Sequence, residues 1–299
     1  MSTFYAEKEK NIRRTYLYLT GFFLFIIGIG WFLSYFFETT AILWIAVIIS
    51  VAMSFTSYWY SDKIVLSMSK AKEVKKDDYP EFYRITENLS ITKGLPIPRL
   101  FVIDDPHPNA FATGRNPEHG VVAVTTGLLE KLNRQELEGV VAHEMAHIEN
   151  YDILISSVVV VLVGVVILVA DIFFRMAFFG GTRNREGKGG VFILIIAVVF
   201  MILAPVLAQI MKFAISRKRE YLADTTAVLS TRYPEGLASA LEKISKDPNQ
   251  LRTASNSTAH MYISNPFRGK EKKSWFRKLF MTHPPTEERV ERIRGIDIN

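Results

Sequence analysis

The chain has 299 residues, 49% hydrophobic and 22% charged, a mixture that suits neither an ordinary soluble domain nor a fully embedded transporter. It contains no cysteine, which excludes disulfides and thiolate metal sites and leaves His, Asp and Glu as metal donors. The net charge of +6 does not argue for nucleic acid, because the basic residues cluster beside apolar runs, where anionic lipid headgroups are the simpler partner.

Two apolar stretches open the chain, at about 15–37 and 41–60, each close to the roughly 20 residues a helix needs to cross a bilayer. Lys8, Lys10, Arg13 and Arg14 precede the first, as in a signal peptide. Its apolar run is too long for one, no small-residue cleavage site follows, and a second span comes almost at once. The expectation is an uncleaved hairpin over 1–60, closed by Glu38, Thr39 and Thr40.

The segment 61–150 reads as aqueous. The apolar spacing of Phe82, Ile85 and Leu89 predicts a helix from Pro80 to Lys93, ended by Gly94. Short strands are expected at 100–103 and 121–125, with an extended, turn-bounded stretch from Asn109 to Gly114 between them. Asn133 and Glu136 form a capping-box pattern that opens a further helix.

Two more apolar stretches, about 153–179 and 191–214, form a second expected hairpin within 151–214. Lysines and arginines crowd the N-terminus, the stretch after the second span and the stretch after the fourth, so the positive-inside rule puts all three in the cytoplasm. Arg183, Arg185 and Lys188, in the short Gly-rich loop between spans three and four, run mildly against this orientation. An even number of spans separates 61–150 from 215–299, so the two segments can fold together. In the second, a helix is expected from Pro234, with Leu237, Leu241 and Ile244 inward, and another over 286–294. Residues from about 248 to 282 read as a polar, basic loop. Its lysines with Trp275, Phe276 and Phe280 suit an interfacial membrane anchor better than a nucleic-acid site.

The residues that carry chemistry lie at 143–147. Four positions apart on a helix, His143 and His147 share one face and can offer two imidazoles to one ion. Glu144 between them suits a general base acting on water acidified by that ion. A catalytic zinc normally takes three protein ligands. Glu220 is the best third: it sits just beyond the fourth apolar stretch, as His147 sits just before the third, on the same membrane side. Asp224, one turn on, is placed to accept the second N–H of a ligating histidine. His107, His119 and His260 lie in loops without ligand spacing.

Together, His143 to His147, Glu220 with Asp224, Asn109 to Gly114, and Thr282-His283-Pro284-Pro285 through Arg289 closely resemble the HtpX-type membrane endopeptidases, relatives of the CAAX prenyl proteases. The resemblance covers most of the chain. It implies one zinc ion per chain held by His143, His147 and Glu220, with Glu144 activating water and Asp224 supporting a ligand. It further implies that Asn109 and Ala110 begin an edge strand that pairs with substrate, that His283 bonds the oxyanion and that Arg289 holds the carboxylates. The implied fold is mainly α: four transmembrane helices carrying a cytoplasmic zincin-like α+β domain in the cell membrane. The implied substrates are misfolded membrane or unfolded polypeptides, as in protein quality control. The rival readings are a CAAX-type prenyl-protein endopeptidase, with four spans leaving no large membrane chamber for a lipidated peptide, and a non-proteolytic zinc-binding membrane protein.

Overall fold

The computed structural model describes residues 4–36, 38–179, 217–249, 251–252, 258–264, 266 and 284–297. Two long helices lead, α1 (Phe4–Phe36) and α2 (Ala41–Trp59), and both contain a stretch long and apolar enough to cross a membrane. They cross closely at Gly30, where an added Cβ would lie 2.2 Å from that of Ala46. Leu17, Trp31, Trp44, Ile48 and Phe55 point outward, an apolar surface that water would not favour. At 33 residues α1 is about 50 Å long, well beyond the roughly 30 Å hydrocarbon core, so its first turns extend past the apolar part.

After α3 (Ser61–Met68) the chain builds a four-stranded sheet from β1 (Lys72–Glu73), β2 (Arg99–Ile103), β3 (Ala110–Thr113) and β4 (Val121–Thr125). The order is β1-β2-β4-β3, with β2 parallel to β4 and β3 antiparallel to it at an edge. Helix α4 (Pro80–Lys93) starts on a proline and stops where Gly94 takes a left-handed φ of 63°. Because side chains alternate along a strand, the sheet buries both faces. Leu100, Val102, Val122 and Val124 meet the helical core, while Phe101, Ile103, Val121 and Ala123 meet Val65 and Leu66 of α3 and Val160 beyond.

The short α5 (Thr126–Lys131) leads into α6 (Arg134–Glu149), whose start is closed by the expected capping box: Asn133 accepts from the Glu136 backbone and Glu136 from the Asn133 backbone. Helix α7 (Asp152–Phe179) follows at a bend of 82°, taken up by Tyr151 in a left-handed φ of 59°. Beyond it come α8 (Arg217–Thr231), α9 (Pro234–Lys246) and α10 (Thr286–Arg294). α6 is buried along most of its length, and Gly139 lets α9 approach so closely that a Cβ there would lie 2.7 Å from the Leu237 backbone nitrogen.

One apolar core unites residues before and after the second expected hairpin: Phe82, Ile85 and Met145 share it with Val228, Leu241 and Ile293. The third expected span is helical as α7; the fourth, at 191–214, and the Gly-rich loop before it lie outside the described residues. The expectation of a merely polar loop over 248–282 needs correction where that stretch is described. Leu251, Tyr262 and Ile263 are buried in the cores on the two sides of the sheet. Scattered apolar residues in a polar stretch have no period to announce them.

Candidate metal centre

His143 and His147 stand on the buried face of α6 with their rings 4.8 Å apart and nearly perpendicular. Their Nε2 atoms lie 3.2 Å from each other. Glu220, in the first turn of α8, brings Oε1 to 3.6 Å from His147 Nε2 and Oε2 to 3.9 Å from His143 Nε2. One donor atom from each of the three residues falls within 4.8 Å of the others. Donors about 2.0–2.1 Å from a tetrahedral zinc lie about 3.4 Å from one another, so the spacing suits that ion with little adjustment.

The outer nitrogen of each ring is taken by a carboxylate. His143 Nδ1 is 2.9 Å from Asp224, and His147 Nδ1 is 2.9 Å from Asp152, the first residue of α7. With Nδ1 held outward, both Nε2 atoms turn toward Glu220. Arg289 of α10 grips Asp224 with two charge-assisted bonds, Nε at 3.0 Å and Nη2 at 2.7 Å, and its Nη1 reaches to 3.7 Å from Glu220. Glu144 is buried on the same helix, close enough for its charge to act on His147 and Arg289.

These surroundings separate the two imidazoles. Burial pushes His143 down to about 4 against the opposing pull of Asp224, which keeps the ring neutral at physiological pH. Burial also acts to lower His147, but the Asp152 bond and the charges of Glu220, Asp152 and Glu144 prevail and raise it to about 9. Burial works to raise Asp224; Arg289 and His143 outweigh it and hold the carboxyl below its usual range.

Asn109 and Ala110 lie at the start of β3 and are buried, not open. Since the Thr125 N–H of β4 donates to the Asn109 carbonyl at 3.0 Å, alternation turns the Ala110 backbone toward the other edge. There the Ile263 N–H donates to the Ala110 carbonyl at 2.9 Å, and the Asn109 side chain bonds both the N–H and the carbonyl of Ser264. Arg289 Nη1 donates to the Ile263 carbonyl at 3.1 Å, so residues 262–264 run between the edge strand and the metal-site arginine. His283 lies outside the described residues. The structure thus brings His143, Glu144, His147, Glu220, Asp224 and Arg289 into one cluster, with Ala110 joined to Arg289 through Ile263 and Asn109 bonded to the adjacent Ser264. It adds Asp152, whose only signal in the sequence is its nearness to the histidine motif. His107 is buried beside Asp247, away from the cluster.

Residues 77–297 match the family model described as Peptidase family M48. The chain is 43% identical to a protein named Protease HtpX homolog from Caldanaerobacter subterraneus subsp. tengcongensis, over 99% of both chains. It is 44% identical to one of the same name from Tropheryma whipplei, over 97% of both. Among solved structures it is similar to S. mikatae Ste24p, with a TM-score of 0.49 and 21% identity, over 90% of this chain and 62% of that one. The chain belongs to peptidase family M48. Within that family its likeness is to the HtpX-type proteases, over nearly its whole length.

Proposed function

We propose that this chain is a zinc-dependent endopeptidase of the cell membrane that cleaves misfolded or damaged membrane proteins at the cytoplasmic face. The observation that carries the reading is the convergence of His143, His147 and Glu220 donor atoms within 4.8 Å, in a chain without thiolates. One zinc ion fits there, held by those three residues. When bound, zinc supplies Lewis acidity and makes water a nucleophile at neutral pH.

The chain's own residues do the rest. Asp224 and Asp152 hold the rings of His143 and His147 from behind, so that both Nε2 atoms face inward. Glu144 takes a proton from the attacking water and passes it to the leaving amine. Arg289 stabilises the buried carboxylates and keeps Asp224 ionised. His283 is assigned to the oxyanion on the family resemblance alone. Asn109 and Ala110 are assigned to the substrate backbone, which would add a strand at the β3 edge. The outward apolar surface of α1 and α2 supports a place in lipid.

The test pairs Glu144→Gln with metal removal, using full-length protein in detergent and an unfolded membrane-protein substrate. The variant should bind zinc as the parent does and lose about 10²–10⁴-fold in cleavage rate. The parent should lose activity to a chelator and regain it with zinc. Undiminished cleavage by Glu144→Gln would overturn the assignment.

A further inference from the structure

The two histidines of the candidate metal centre are backed in parallel ways. Behind His143 stands Asp224, clamped by Arg289; behind His147 stands Asp152, and its clamp comes from two distant parts of the chain. Asn11, in the second turn of α1, donates Nδ2 to Asp152 Oδ1 at 2.8 Å across 141 positions of sequence, and to the Asn150 carbonyl at 3.0 Å. Arg219, next to Glu220 on α8, donates Nη1 to the same Oδ1 at 3.2 Å and reaches Asn11 Oδ1 at 3.4 Å. That leaves Oδ2 for His147 Nδ1, at 2.9 Å.

The geometry is costly to build, which argues against accident. In an unbroken helix, a residue five positions after His147 would lie about 140° around the axis from it. The 82° bend and the left-handed Tyr151 (φ 59°) bring Asp152 back behind the ring, and a bulky non-glycine residue adopts that conformation only where its surroundings hold it there. Asn11 is fully buried, and a buried amide is tolerated only when it is bonded. Asn11 also lies in the polar first turns of α1, ahead of the apolar run that opens at about residue 15, and there it meets Asn150 and Asp152.

We propose that Asp152, held by Asn11 and Arg219, is a positioning residue for His147, so that the first apolar helix is a working part of the metal centre. The proposal rests on reading His147 as a zinc ligand. Asn11 and Arg219 fix the rotation of the carboxylate, the carboxylate fixes the ring, and the ring presents Nε2 to the ion. Arg219 and Glu220, being neighbours, tie the third ligand to the same frame.

The experiment uses the full chain in detergent, with zinc affinity read by competition with a chromophoric chelator and geometry read from the visible spectrum of the Co²⁺-loaded protein. Removing a partner that orients a ligand typically weakens metal binding about 10–100-fold, and Asn11→Ala and Asp152→Asn should each fall in that range with a shifted Co²⁺ spectrum. Phe22→Ala is the control: it loosens the packing of α1 on α7 without touching this network, and should leave affinity and spectrum at parental values. If Asn11→Ala does not fold, Arg219→Lys replaces it with the same expected loss, retaining charge while withdrawing the Nη1 bonds to Asp152 and Asn11, and parental affinity and spectrum in that variant would overturn the role. Parental affinity and spectrum in Asn11→Ala, or an equal loss in Phe22→Ala, would overturn the positioning role. His147→Ala separates the two ideas: unchanged zinc affinity there removes His147 from the ligand set and takes this proposal with it.

Discussion

Glu144 and Glu220 are both buried carboxylates near two imidazoles, and position alone separates their work. Glu220 has its oxygens within 4 Å of both Nε2 atoms, so Glu220→Ala should reduce bound zinc well below one ion per chain, as read by metal analysis of purified protein. Retained zinc with retained activity would remove Glu220 from the ligand set. Arg289 gives a sharper test of stability. It is the partner of a fully buried Asp224, and breaking a buried pair by removing one side typically costs about 3–5 kcal/mol. Arg289→Ala should show that loss in denaturant unfolding, and Arg289→Lys most of it, since an ammonium cannot reproduce the two-pronged contact. The histidine pair was legible because four-residue spacing has a direct helical meaning. Asp152 was not, because five-residue spacing points the wrong way unless the helix breaks, and a left-handed tyrosine leaves no mark in sequence.

Between elements, two contacts carry consequences. Glu136 closes the capping box of α6 and also accepts from Lys243 at 2.7 Å and from Ser239 on α9, joining the two helices that Gly139 lets touch. Burial tends to raise its pKa, but Lys243, Ser239 and the Asn133 backbone prevail and depress it. Its folded value therefore lies below the unfolded one, so its contribution is present above the unfolded carboxyl range and lost as pH falls through the folded value. Glu136→Gln should flatten the acid limb of a stability-against-pH curve, and an unchanged limb would show that Glu136 has no part in it. The second contact is residues 262–264 across the β3 edge. A peptide that pairs with Ala110 must displace the Ile263 N–H, so Ile263→Pro, which deletes that donor, should lower KM roughly 2–10-fold, the equivalent of one hydrogen bond, at similar kcat. An unchanged KM would mean that substrate does not compete for this carbonyl. Helix starts, the capping box and the strands could be read from local pattern. The 262–264 contact could not, since it is made by backbone groups of Ile263 and Ser264 within a polar stretch that has no strand period.

For the whole molecule, the argument from span parity is the one that joins the pieces. The core shared by Met145 and Leu241 requires residues on both sides of 151–214 to lie in one compartment, whatever the path between them. The Asn11–Asp152 contact places the start of α1 in that compartment too, because it reaches the same buried cluster. On the proposed reading of α1 as a membrane span, the turn between α1 and α2 lies on the opposite side, one apolar helix away from both. The chain has no cysteine, so a single introduced thiol reports its own side without background. Thr39→Cys, Asp77→Cys and Glu291→Cys lie at exposed positions, in the turn, in the first aqueous segment and in α10. In intact cells a membrane-impermeant maleimide should label Thr39→Cys alone, and permeabilisation should be needed for Asp77→Cys and Glu291→Cys. Labelling of Asp77→Cys and Glu291→Cys together from outside would invert the orientation while leaving the shared core intact. Labelling of only one of those two would separate the halves of the metal site and contradict the fold itself.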